Sequence, residues 1–321
     1  MTAPRRKGRL RGRTALVTGS SRGLGLQLAR ELAGRGCRVV LCARGAEELA
    51  AAEAELRASG AEAASVACDL TDPEAPKLLL DTVHRYFGRL DVLVNNAGVI
   101  QVGPLGALRE EDFREAMETM LFAPLRLTLA ALPDLRAGQG TLVNVSSVGG
   151  RIAAPHLLPY VAAKFASAGL SEGLHAELAQ DGVRVTTVLP GLMRTGSHTA
   201  ARFHGRPGAE YSWFAAAASM PLLSMDAGRA ARAILRAAER GRAELVLTPA
   251  AKAAVRLHGV APATTTRLLG LAARTLPRAG DRPDHAVPGA AAAGRSRLPG
   301  WATALGDRAG RRLHQEPPAA G

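Results

Sequence analysis

The sequence predicts an α/β fold built on a doubly wound parallel sheet, and three observations carry that prediction. From Thr14 onward, short β-branched runs alternate with helical stretches. The strand-like runs are almost continuously apolar, as strands are when helices cover both faces of a parallel sheet. A glycine-rich turn, TGSSRGLG, joins the first strand to the first helix.

In order, TALVTG is the first strand, and a helix follows from Leu24 to about Gly34. RVVLCA leads to a helix over Ala46–Ser59, and ASVACD to one over Ala75–Phe87. DVLVNNA precedes a helix over Glu110–Leu132, and GTLVNVSS precedes one over Leu158–Gln180. VRVTTVLP ends the regular alternation at Pro190. Right-handed crossovers make such an arrangement doubly wound. Residues 191–225 read as irregular, with Met193, Trp213, Phe214, Met220, Leu222, Leu223 and Met225 among them. A helix over Ala227–Arg240, a strand ELVLTP and one or two helices to about Leu276 follow. The expected organisation is a basic leader (1–13), one domain (14–277), and a flexible, disordered tail (278–321) in which Pro, Gly, Ala and Arg dominate without periodicity.

At 321 residues and 47% hydrophobic, the chain is long enough to bury a sizeable core. Its formal net charge of +13 raises the question of polyanion binding. Location answers it: residues 14–225 hold 19 basic and 21 acidic groups, so the excess lies at the two ends and over residues 226–277. No nucleic-acid partner is expected. Cys37, Cys42 and Cys68 fall in apolar runs without regular spacing, which suggests reduced core thiols and a cytoplasmic protein. There is no run of about eighteen apolar residues for a membrane span, and no signal-peptide core of about seven to fifteen. The eight His lack metal-ligand spacing, so no metal is expected.

Only four Lys and three Asn occur in the whole chain, which gives weight to each one in a demanding position. The glycine turn is one such setting. A helix N-terminus there offers free N–H groups and a positive dipole end to a pyrophosphate, and Gly19, Gly23 and Gly25 permit the tight turn and close approach. Taken alone it is also compatible with a plain tight connection. The same residues read as GxSxG around Ser21, the nucleophile elbow of a hydrolase. Against that, only twenty residues precede Ser21, most of them polar and basic, where an oxyanion loop and several strands are required. Ser147, Tyr160 and Lys164 form the second setting. Tyr160 and Lys164 are four apart on one helix face, and Ser147 ends a strand at the carboxyl edge, where open α/β sheets bind ligands.

These motifs together resemble the short-chain dehydrogenase/reductase family: TGxxxGxG, NNAG at Asn95–Gly98, Ser147 with Tyr160 thirteen residues on, YxxxK, and PGLMRT at Pro190–Thr195. The resemblance runs in order over residues 13 to about 250 and implies a Rossmann-type oxidoreductase interconverting a carbonyl and a secondary alcohol. It implies Tyr160 as general acid/base, Lys164 favouring the phenolate and holding the nicotinamide ribose, and Ser147 bonding the substrate oxygen. A neighbouring ammonium is the kind of charge that moves a phenol by about 1 to 3 pKa units. Cofactor contacts are expected from Gly19, Ser21, Arg22, Gly23, Leu24, Gly25, Arg44, Asp69, Asn95, Ala97, Gly98, Tyr160, Lys164, Pro190, Gly191 and Thr195. NADP (NADPH) is expected over NAD, because Ala43 stands where an acid would take the ribose 2′-hydroxyl, while Arg44 and Arg22 suit a phosphate. Glu47 and Glu48 read as first-turn helix residues.

One departure stands out. The family commonly carries a fourth catalytic residue, an Asn, where this chain has Met120, so its proton relay is in doubt and a cofactor-binding protein with little turnover is the alternative. Residues 191–225 correspond to the family's substrate-covering loop, and their apolar content fits a lipophilic small-molecule substrate or, equally, internal or subunit packing. Homo-oligomers are frequent in the family.

Overall fold

The computed structural model describes residues 9–221, 223–279 and 286–315. Seven strands form one sheet: β1 (Thr14–Thr18), β2 (Arg38–Ala43), β3 (Ala63–Ala67), β4 (Val92–Asn95), β5 (Thr141–Val145), β6 (Arg184–Leu189) and β7 (Glu244–Val246). Their spatial order is β7-β6-β5-β4-β1-β2-β3, with every neighbouring pair parallel. The order reverses beside β1, so a crevice opens at the carboxyl ends of β1 and β4.

The strand alternation sorts side chains onto two faces. Ala15 and Val17 of β1 join a core built with α1 (Gly23–Gly34), α2 (Ala46–Ala58) and a later helix over Ala227–Glu239. Leu16 points the other way, into a core with Leu79 and Val83 of α3 (Ala75–Phe87) and with Leu127, Ala131 and Leu135. Each fully buried Leu or Val contributes about 1.5–3 kcal/mol, and both faces are filled.

The stretch expected as one helix over Glu110–Leu132 is two, α4 (Glu110–Met117) and α5 (Ala123–Ala137), joined by a π-helical turn over Glu118–Phe122. Pro124, at the start of α5, has no N–H and its ring crowds the carbonyl four residues back. That carbonyl belongs to Met120, inside the widened turn. Beyond α6 (Leu158–Leu178) and β6, the stretch over 191–225 is largely ordered around α7 (Pro207–Ser219). There Phe203 is fully buried, with Tyr211 and Phe214 edge-on to it at 5.6 and 5.9 Å between centroids. These aromatics fill a satellite core with Val102, Ala215 and Ala292, which is the internal-packing reading of that apolar content. α8 (Ala227–Glu239), α9 (Pro249–Val260) and α10 (Pro262–Ala273) follow.

Two boundary expectations change. Leu10, assigned to the leader, is buried, and its carbonyl receives the Cys37 thiol at 3.1 Å; residues 1–8 lie outside the described residues. Residues 286–315, assigned to a flexible tail, instead pack on the domain: Val287–Pro288 pairs antiparallel with Arg202–Phe203, and α11 (Ala304–Arg312) follows. Gly306, Ala309, Gly310 and Leu313 recur at helical spacing and are all buried. Small residues let α11 approach closely; a Cβ on Gly306 would stand 2.5 Å from Ser219 Oγ. Alanine and glycine carry that face, which is why composition alone read it as structureless. Residues 280–285 and 316–321 lie outside the described residues.

Candidate active site

The glycine turn sits at the crevice with its conformation fixed from three sides. Gly19 and Gly23 both have φ of +62°, the left-handed region in which a side chain is strained. A Cβ on Gly25 would lie 2.0 Å from the Gly19 carbonyl oxygen, so α1 can begin there only as glycine. Asn96 donates its amide to the Thr18 and Gly19 carbonyls at 2.9 and 3.2 Å, while Thr18 Oγ1 accepts from the Asn96 and Ala97 N–H groups. Ser20 exchanges bonds with the Cys42 backbone on β2 at 2.9 and 3.0 Å. Asn96 is the residue that sequence reasoning passed over; its place in NNAG was the available signal.

Around this turn Leu24 and Ser21 are buried, whereas Arg22 and Arg44 are exposed. Asp69 accepts from the Thr71 N–H and hydroxyl at 3.0 and 2.8 Å, which holds its carboxyl below the usual range, with the Arg44 charge adding to the effect. Arg44 and Asp69 therefore face the same edge of β2 and β3. Cys42 and Cys68, both free thiols, lie beneath with sulfurs 3.4 Å apart.

Ser147 leaves β5 and caps the turn Val148–Gly150, its Oγ accepting from the Gly149 N–H at 3.0 Å. Ser146 Oγ donates to the Lys164 carbonyl at 2.8 Å, which ties the end of β5 to α6. The tie brings Tyr160 and Lys164 over the sheet edge. Burial raises the Tyr160 phenol above its usual value, and a hydrogen bond with Ser147 opposes the rise. Lys164 Nζ stands 5.7 Å from the Tyr160 ring centroid and donates to the Val145 carbonyl at 2.8 Å. Burial lowers its pKa to about 8. The ammonium thus sits over the ring, and for the phenol desolvation outweighs the Ser147 hydrogen bond in this conformation.

Met120 is 2% exposed and packs with Ala116, Ala163 and Tyr160. A Cβ on Gly98 would lie 3.3 Å from its sulfur and 3.8 Å from Lys164 Nζ, so the thioether and the ammonium converge on the NNAG backbone. The Asn95 amide donates to Asn144 Oδ1 at 2.9 Å and Thr128 Oγ1 at 3.2 Å, which leaves only its backbone for the expected cofactor contact. Asn144 continues to Ser171, which accepts from Thr187. A side chain committed to this buried network braces β4, β5 and β6 instead of facing the crevice.

Opposite the glycine turn, the Pro190 carbonyl accepts from the Val148 N–H at 2.8 Å. Gly191 lies against Thr248, and Thr195 is buried beside Gly196. Between the two walls runs the segment Leu313–Gln315. The Leu313 carbonyl accepts from the Gly23 N–H at 2.9 Å, and Thr199 Oγ1 donates to the Gln315 carbonyl at 2.8 Å. A Cβ on Gly23 would meet the Gln315 amide at 2.6 Å, and one on Gly196 would meet Gln315 Cβ at 2.9 Å. His198–Asp307 (3.2 Å) and Arg312–Asp226 (2.9 Å) anchor the segment. It borders the place where a helix N-terminus suits a pyrophosphate.

The family model described as short chain dehydrogenase matches residues 13–204. The chain belongs to the short-chain dehydrogenase/reductase family. It is an oxidoreductase of that family, acting on CH–OH/C=O groups with a nicotinamide cofactor. A putative ketoacyl reductase of Streptomyces coelicolor is 40% identical to this member over 194 residues, 59% of this chain and 74% of the relative. Gluconate 5-dehydrogenase of Gluconobacter oxydans is 36% identical over 187 residues, 58% and 73% of the two chains. Among solved structures, a short-chain dehydrogenase from Streptomyces avermitilis superposes with a TM-score of 0.71 at 32% identity, covering 82% of this chain and 97% of that one. A gluconate 5-dehydrogenase from Burkholderia cenocepacia, in complex with NADP and tartrate, gives 0.66 at 28% identity, covering 78% and 99%. The hydrolase reading of Ser21 is not favoured: the residue lies within the stretch that the short chain dehydrogenase model matches. Among the described residues no helix is long and apolar enough to cross a membrane, and no group of three or more His, Cys, Asp or Glu could hold a metal.

Proposed function

We propose that this dehydrogenase/reductase uses NADP(H) to interconvert a carbonyl and a secondary alcohol on a lipophilic small molecule, with Tyr160 as proton donor and acceptor. The observation that carries the reading is the convergence of Tyr160, its hydrogen-bonding neighbour Ser147 and the Lys164 ammonium at the carboxyl edge of β5. The glycine turn fits a dinucleotide in its backbone, with Gly19 and Gly23 both left-handed at the start of α1, and the Gly23 N–H would have to exchange the Leu313 carbonyl for a phosphate oxygen. Gly19, Gly23, Leu24 and Gly25 would hold the pyrophosphate, Arg22 and Arg44 the 2′-phosphate, Asp69 the adenine, and Ala97, Gly98, Pro190, Gly191 and Thr195 the remaining wall. When bound, the nicotinamide supplies or accepts the hydride. In reduction, Ser147 orients the carbonyl oxygen and Tyr160 gives that oxygen its proton. Lys164 binds the ribose hydroxyls and, as an ammonium, favours the phenolate left behind.

The NADP-bound gluconate 5-dehydrogenase supports the choice of cofactor, and the two exposed guanidiniums, with alanine at the acid position, support it independently. The test is NADPH oxidation against a panel of ketones. Turnover should appear with a lipophilic ketone, disappear in Tyr160→Phe, and favour NADPH over NADH. Equal use of both cofactors would overturn the NADP assignment. Tight NADPH binding with no turnover on any carbonyl would instead support the low-turnover reading that Met120 raises.

A further inference from the structure

Residues 245–280 contain five Lys or Arg and no Asp or Glu, and no aromatic residue. Within this stretch Pro249–Val260 and Pro262–Ala273 form the α9–α10 hairpin, whose inward faces are short. Ala251, Ala254, Val255 and His258 turn inward on α9, and Thr265, Leu269 and Ala273 on α10. His258 Nδ1 and Thr265 Oγ1 join the two helices at 2.6 Å.

The outward faces are what a solvated helix does not show. On α9, Ala253, Leu257 and Val260 form an exposed apolar stripe at helical spacing, with Leu257 54% and Val260 87% exposed. Lys252 and Arg256 run beside it. On α10, Leu268 and Leu271 are each 54% exposed, with Arg267 and Arg274 alongside. A surface helix normally turns charged residues of both signs to water. Here apolar stripes are flanked by one sign only, twice over, on adjoining helices. That is the pattern of a helix lying in a lipid headgroup layer, where leucines enter the acyl boundary and cations meet anionic headgroups.

We propose that the α9–α10 hairpin docks this protein onto an anionic membrane surface. Charge selects the occupant. A second copy would bring the same cationic face, on a chain already at +13, against this one. A nucleic acid would use the cations but leave the exposed Leu and Val stripes without a role, and the hairpin offers no aromatic to stack on a base. An anionic lipid surface uses both stripes at once. Insertion is shallow, since neither helix is long enough to span a bilayer. The C-terminal end of α10 also lines a groove with Pro104 and His156.

The experiment is co-sedimentation of the full chain with phosphatidylcholine vesicles made with and without phosphatidylglycerol. Binding should require phosphatidylglycerol and weaken as salt rises. Arg256→Glu with Arg267→Glu should lower the partition coefficient at least about tenfold, each cation near such a surface being worth about fivefold or more. Leu257→Ser with Leu268→Ser should lower it comparably, whereas either pair leaves the melting temperature within a few degrees, because all four side chains are exposed. A Leu268→Trp chain should show an emission blue shift on adding anionic vesicles that the parent chain lacks. The proposal is overturned by any of four results: no sedimentation with anionic vesicles, sedimentation that the hairpin variants leave unchanged (which would assign it to the basic residues 5–13), a dimer in lipid-free solution abolished by the leucine variants, or duplex DNA binding that the arginine pair loses and the leucine pair keeps.

Discussion

Residues 14–247 and residues 249–315 are held together by different means. The first region is a parallel sheet whose strands are buried on both faces and whose reactive groups stand at strand ends or on helices packed against them. The second has no sheet of its own. α9 and α10 hold chiefly to each other, while α11 and residues 313–315 are attached through small residues, three ion pairs (His198–Asp307, Arg312–Asp226 and His314–Glu55) and a few hydrogen bonds. The difference teaches where the candidate site is placed: Ser147, Tyr160 and Lys164 stand on the part whose strands are buried on both faces, whereas the segment against the glycine turn is held by small residues and a few polar contacts.

The strongest way to break this comparison is to remove chemistry from the rigid region. Tyr160→Phe should lower kcat/KM for ketone reduction by about 10²- to 10⁴-fold, the range of general acid–base catalysis, with the NADPH dissociation constant unchanged; a loss of binding as well would mean that the residue positions the cofactor. Next in size is Gly25→Ala. Its Cβ would be driven into the Gly19 carbonyl, which should cost about 3 kcal/mol of stability, seen in a denaturant titration, and weaken NADPH about a hundredfold. Arg44→Ala should weaken NADPH about tenfold, one charge-assisted contact, and leave NADH unchanged in the same titration.

Smaller effects probe the second region. A chain ending after Arg312 loses the Leu313 carbonyl from Gly23 and the Gln315 side chain from the turn. If that contact competes with the dinucleotide, NADPH should bind about fivefold more tightly, the worth of one net hydrogen bond; weaker binding would show that the segment clasps the cofactor instead. The smallest expected change is in pH dependence. Burial brings the Lys164 ammonium down to about 8, so its charge is present below that pH and lost as pH rises through it. Reduction should be about halved near pH 8 relative to neutral pH, and Lys164→Arg should remove that fall whatever its effect on the maximum rate.

The legibility of the two regions follows the same division. The order of strands and helices could be read because each buried strand repeats its apolar residues locally, and Ser147, Tyr160 and Lys164 could be read because a strand end and a four-residue helical spacing are also local. Within the same region, Asn95 could not be assigned from its motif alone. Asn144 and Thr128 lie 49 and 33 residues away, and only the folded chain brings them to it. The break at Pro124 needed the carbonyl of Met120 to be located. In α11 the period was present at Gly306, Ala309, Gly310 and Leu313, but it was written in residues too small to register as hydrophobic.

By itself, then, the sequence determined a doubly wound parallel sheet, the glycine turn at its first crossover, and the chemistry-bearing residues at its carboxyl edge, because these depend on periodicities of two to four residues. The tertiary structure alone decided that Leu313–Gln315 lies against the glycine turn, that the Asn95 side chain braces the sheet, and that a cationic hairpin carries exposed leucines. The first two of those outcomes depend on surfaces that meet across 33 to 290 residues, and in this chain short-range pattern carries no record of such meetings.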